Sequence, residues 1–220
     1  MEQKTAQRIE WIDIARGMAM LIVVIGHSGA SWVNPYISWV QMPLFFFIGG
    51  LVFKNAKDKK AGNVAWSLHK VRLMIVPYIV FGALTYFVFR ELNPALLPSK
   101  QNLLFGGIRL QGIYGVYWFI TVYLATILVF NLISQLKKKE HQLIVVGAMY
   151  VLGHVLFMTS DTVTPIVWNL DVVLISTAYF AMGYYLKSYV DLLGKIVPVA
   201  IAGGTIVDVF YASSQWRDRS

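Results

Sequence analysis

Long apolar runs alternate with short polar ones along most of the chain. Seven runs stand out: Ile12–Val33, Tyr36–Phe53, Leu73–Phe89, Tyr117–Leu136, Gln142–Thr159, Trp168–Leu186 and Ile196–Tyr211. Each holds about 16–22 residues, enough to cross a hydrocarbon core of roughly 30 Å with some tilt or thinning. The pattern predicts an all-α, polytopic transmembrane helix bundle of about seven spans. The second and third runs, at 18 and 17 residues, are among the shorter ones. The longest polar stretch, Arg90–Val116, carries Pro94, Pro98, Gly106, Gly107, Gly112 and Gly115, which predicts a loop or re-entrant segment.

Composition agrees with that reading. Of 220 residues, 57% are hydrophobic and 14% charged, against about 25% charged in a soluble domain. A chain of this size cannot bury so much apolar surface as one soluble domain. No cysteine is present, which excludes thiolate catalysis, zinc–thiolate sites and a disulfide framework. No Walker-type loop, dinucleotide fingerprint or HExxH pair occurs. A metal is therefore not expected, and any group donor has to be held in a membrane cavity.

The net charge of +8 is mostly orientation. Lys4, Arg8, Arg16, Lys54, Lys57, Lys59, Lys60, Lys70, Arg72, Lys137, Lys138, Lys139, Lys187 and Lys195 fall on one side of the predicted spans. Only Arg90, Lys100, Arg109, Arg217 and Arg219 fall on the other. The positive-inside rule then puts the N-terminus in the cytoplasm, and nucleic acid is not the partner this charge implies.

Ionisable residues within apolar runs are the informative ones, because the bilayer penalises them by about 2.5–3.5 kcal/mol each on insertion scales. Arg16 and His27 are 11 residues apart, so they lie within about 20° on one helix face and about 16 Å apart along it. Asp13 shares that stripe. Arg16 is placed near the cytoplasmic surface and His27 past the middle of the membrane. The stripe points to a polar cavity lined by the first helix. Imidazole suits proton exchange, and burial would favour its neutral form. The plainer alternatives are a snorkelling Asp13–Arg16 pair and a packing role for His27. His154 is expected to pack between helices, Asp171 to sit at a solvated interface, and Asp208 to face a cavity or the outer surface.

The first span reads Trp11-Ile12-Asp13-Ile14-Ala15-Arg16-Gly17 and runs on to Gly26-His27-Ser28. It resembles the opening of the acyltransferase-3 family of integral membrane acyltransferases, whose first helix carries Asp-x-x-Arg-Gly and an Arg-x10-His pair. Gln41-Met42-Pro43-Leu44-Phe45-Phe46-Phe47 resembles a segment of the fucose 4-O-acetylase-like branch. Lys70-Val71-Arg72-Leu73 with Val76-Pro77-Tyr78 is similar to the family's third span, and Tyr117-Trp118-Phe119 to a later element. These matches cover roughly residues 8–125. Gln41 stands where branch members often have His, and His69 with Arg72 stands where the family often has two Arg. The family usually has about ten spans, so the resemblance implies one acyltransferase domain over 1–220 that is incomplete at its C-terminus.

The resemblance implies transfer of an acyl group, usually acetyl, from acetyl-CoA to a hydroxyl of an extracytoplasmic sugar or polysaccharide. The catalytic candidates are His27, as general base, and Asp13, by positioning Arg16. Arg16, Arg72, His69 and Lys70 are the candidates for the CoA phosphates. Ser28, Gln41, Tyr117 and Trp118 are candidates for acceptor or oxyanion contacts. The expected partners are acyl-CoA, the sugar acceptor and the lipid bilayer, in a bacterial plasma membrane. A small-solute transporter and a non-catalytic remnant are the alternative readings.

Overall fold

The computed structural model describes residues 10–28, 34–56, 62–110, 112–159 and 166–189. Among these residues the chain is helical and has no strand. The helices are α1 (Glu10–His27), α2 (Asn34–Leu51), α3 (Gly62–Leu92), α4 (Lys100–Phe105), α5 (Trp118–Ile133), α6 (Lys139–Thr159) and α7 (Leu170–Leu186). Six of them coincide with the first six apolar runs. The seventh run, Ile196–Tyr211 with Asp208, lies outside the described residues. The remaining helix, α4, is a short one within the predicted outer loop, where Ser99 caps it by accepting the Asn102 N–H.

Among the described residues, three stretches are long and apolar enough to cross a membrane: Gly62–Leu92, Gly112–Ile133 and Lys139–Met158. The third run was expected to be among the shortest, yet α3, with 31 residues, is the longest of the described helices. Hydropathy sees only the part that needs lipid. Asn63 to Lys70 are polar or mixed residues that extend the same helix beyond the apolar run. At 1.5 Å per residue α3 is about 46 Å long, well beyond the hydrocarbon thickness.

The chain divides into two compact units, one up to Phe53 and again from Met182, the other from Lys54 to Ala181. In the first unit, Ile12 and Ala19 of α1 pack with Leu44, Ile48 and Leu51 of α2. Ala15, Phe45, Phe47, Val52 and Leu186 surround this cluster. The small side chains of Ala15 and Ala19 let the helices approach closely, which is how packing replaces the hydrophobic effect inside a bilayer. Gly183 of α7 lies directly against the Phe47 carbonyl. Tyr184 meets Phe53 edge-on at 5.8 Å, and Lys187 Nζ donates to the Phe53 carbonyl at 3.1 Å.

In the second unit the core runs along α5, with Val122, Ile127, Phe130 and Ile133 buried, and includes Val173 and Phe180 of α7. Two buried polar contacts are satisfied there. Thr126 and Ser176 share a 2.7 Å hydrogen bond, and Asn131 Oδ1 accepts the Ala56 N–H at 3.1 Å. Leu73, Val76, Ile79, Val80, Phe81, Leu84 and Phe87 of α3 are exposed, an apolar surface suited to lipid tails.

The predicted outer loop is a string of short helical turns. Gly106 and Gly107 have φ of 65° and 57°, and Trp168 and Asn169 have φ of 56° and 52°. The two pairs abut: a Cβ at Gly106 would lie 2.6 Å from Trp168 Cδ1, and one at Gly107 would lie 2.9 Å from the Asn169 backbone N. Only glycine fits both the left-handed backbone and the close approach.

Candidate functional site

The site residues named from the sequence fall into two sets, one in each unit. The first unit holds Asp13, Arg16, His27, Ser28 and Gln41. The second holds His69, Lys70, Arg72, Tyr117 and Trp118.

His27 is the last residue of α1, and other protein atoms leave it exposed. Ser28 follows in a turn, consistent with the preference of serine for helix ends over helix interiors. The imidazole is nonetheless oriented. Its Nδ1–H donates to the Val23 carbonyl, one turn back, at 2.8 Å. A carbonyl only accepts, so in the neutral ring this bond fixes the proton on Nδ1 and leaves the Nε2 lone pair for a substrate.

Ser28 follows with its hydroxyl donating to the Ile25 carbonyl at 2.7 Å. Its one proton is committed to capping the helix, so in this arrangement Ser28 has acceptor capacity but no donor for an oxyanion. Arg16 and Asp13 are partly exposed and 4.0 Å apart, three residues along α1. An exposed pair of this kind adds little stability. Asp13 is 14 residues from His27, about 21 Å along the helix, too far to touch atoms reacting at His27. What Asp13 can do is restrain the Arg16 guanidinium.

Gln41 is the outlier. It is only 5% exposed, and its Oε1 has no hydrogen-bond partner. It continues the α2 stripe of Leu44, Ile48 and Leu51, at spacings of three and four residues, into the packed face. A buried unsatisfied acceptor costs about 1–3 kcal/mol, which an apolar residue would avoid. Its hydropathy gave no signal of this, because one Gln barely changes an apolar run.

In the second unit, His69 and Arg72 are exposed near the N-terminal end of α3. The Lys70 ammonium lies over the ring of buried Trp66, 5.6 Å from its centroid. Arg72 is 20 residues before Leu92, about 30 Å, so one hydrocarbon thickness separates it from the far end of α3. The start of α3 is tethered to the α5–α6 turn, where Asn63 Nδ2 donates to Gln135 Oε1. Lys137 and Lys138 follow in that turn, and Lys139 opens α6.

Tyr117 is buried, and its hydroxyl is 3.2 Å from Thr85 Oγ1. Tyr78 meets its ring edge-on at 5.4 Å, Tyr114 lies at 5.3 Å, and the Tyr114 hydroxyl donates to the Gly82 carbonyl. The sequence singled out Tyr117 but missed Thr85 and Tyr114, which only the folding of the outer loop onto α3 brings to it. Trp118 is half-buried beside Phe119, and its carbonyl accepts from Thr121. His154 is half-buried, donates from Nδ1 to the Tyr150 carbonyl, and packs on the Tyr150 ring at 4.2 Å. Asp171 lies in the first turn of α7, where a carboxylate complements the helix dipole. No cluster of three or more metal-ligating side chains occurs among the described residues.

A family model described as an acyltransferase domain matches residues 9–213, nearly the whole chain. No curated protein and no solved structure matches it.

Proposed function

The chain belongs to this acyltransferase family and is a membrane acyltransferase; from that premise we propose that it transfers acetyl from cytosolic acetyl-CoA to a hydroxyl of an extracytoplasmic sugar or polysaccharide. The observation that carries the reading is the state of His27. An exposed imidazole with Nδ1 committed to Val23 presents Nε2 as a base, on the same helix face as the Arg16 guanidinium.

The chemistry needs few groups. His27 Nε2 takes the proton of the acceptor hydroxyl while the hydroxyl oxygen bonds to the thioester carbonyl carbon. The C–S bond then breaks, and the leaving thiolate takes the proton from the imidazolium. General acid–base help of this kind contributes about 10²–10⁴-fold. Arg16 holds donor phosphate about 16 Å from His27 along α1, and Asp13 restrains Arg16. His69, Lys70 and Arg72, with Lys137 to Lys139 of the same unit, supply a basic cytoplasmic surface that attracts CoA. In this reading the N-terminus is cytoplasmic and the protein is a multi-pass component of a bacterial plasma membrane.

The test is acetyl transfer from labelled acetyl-CoA by purified protein in detergent, read as CoA release. His27→Ala should abolish turnover and leave CoA affinity within about twofold. Wild-type turnover in His27→Ala would remove His27 from the mechanism.

A further inference from the structure

We propose that the Gln41 side-chain amide binds the amide-bearing pantetheine arm of the acyl donor, between the phosphate end held by Arg16 and the thioester end at His27. This rests on the acetyl-CoA reading above and deepens it.

The argument is one of level and chemistry. Six residues connect α1 to α2, and so short a connection between packed helices makes them antiparallel neighbours. The shared cluster agrees, with Ile12 near the start of α1 and Leu51 at the end of α2. Equal steps away from the connection bring Gln41, seven residues after Asn34, level with Met20, seven residues before His27. Met20 is about 6 Å from Arg16 and about 10 Å from His27 along α1. Gln41 therefore lies, in height along α1, between the two ends of the proposed donor path.

An apolar side chain would suit the Leu44–Ile48–Leu51 stripe better, and in lipid no bulk water reaches a buried carbonyl oxygen. The unpartnered Oε1 is matched by a ligand that brings its own N–H or O–H. Pantetheine is such a ligand, since it carries amide N–H groups and a hydroxyl on a thin chain. An acyl chain or a bare phosphate offers no donor there.

Gln41→Met, of similar volume, separates a ligand contact from a packing residue. The probes are CoA and adenosine 3′,5′-bisphosphate, which has CoA's nucleotide end without the arm. In the full-length variant we expect melting no lower than wild type and unchanged affinity for the bisphosphate. CoA should bind about tenfold more weakly, the loss of one hydrogen bond to a now apolar side chain. Gln41→His, which keeps a polar nitrogen at this position, should recover part of the CoA affinity. Equal CoA affinity in wild type and in a folded Gln41→Met would overturn the assignment. A wild-type protein that binds neither probe would instead overturn the acetyl-CoA reading itself.

Discussion

Gly183→Ala is the sharpest test of how the first unit is packed. A Cβ at this position would collide with the Phe47 carbonyl oxygen and lie 2.9 Å from Phe47 C and 3.0 Å from Leu51 N. All three are backbone atoms of α2, so no side chain can turn aside. Relief requires α2 and α7 to separate by roughly an ångström, at an overpacking cost of about 3 kcal/mol. Separation also loosens the edge-on Phe53–Tyr184 contact, about 1 kcal/mol. The helix-propensity gain of Ala over Gly offsets about 1 kcal/mol. The net loss is about 3 kcal/mol, or roughly 6–12 °C in melting temperature for a chain of this size. Gly147 is the control, because it is also helical and a Cβ there meets nothing within 4 Å. Gly147→Ala should melt at or above wild type, by up to about 1 kcal/mol of propensity. Both variants are read by thermal unfolding in the same detergent. If Gly183→Ala is as stable as Gly147→Ala, the close approach of α2 and α7 is wrong.

Other consequences can be measured with the same preparation. Arg16→Ala should raise KM for acetyl-CoA about tenfold and reduce its salt dependence, since a charge-assisted phosphate contact is lost; unchanged KM in titrations at low and high salt would argue against it. Asn131→Leu should cost about 1–3 kcal/mol, because the buried Ala56 N–H loses its acceptor, and amide exchange at Ala56 should accelerate. The Gln41→Met variant should lose CoA affinity without losing stability. His27→Gln, which cannot take up a proton at neutral pH, should be as inactive as His27→Ala.

The apolar runs located six of the helices, because a helix that must shield its own backbone in lipid has to be apolar over about 20 residues. The Arg16–His27 stripe was also legible, since helical periodicity alone sets its angle. The motifs of the first spans led to the family that the domain match shows. Hydropathy could not show where helices run on beyond their apolar stretch, and so it missed the first turns of α3. It placed His27 past the middle of a run reaching Val33, and α1 ends at His27.

The hold of Val23 on His27 Nδ1 and of Ile25 on the Ser28 hydroxyl is local to the end of α1. That Gln41 has an oxygen without a partner, and that Asn131 accepts from Ala56, only the tertiary structure decided. The same is true of Gly183 against Phe47 and of Gly106 and Gly107 against Trp168 and Asn169, since nothing local distinguishes a glycine that packs from one that does not. Periodicity and hydropathy are one-dimensional properties, fixed by covalent geometry and the solvent. Hydrogen-bond satisfaction and close packing are pairwise properties of residues far apart in the chain, and they come into being only when the helices meet.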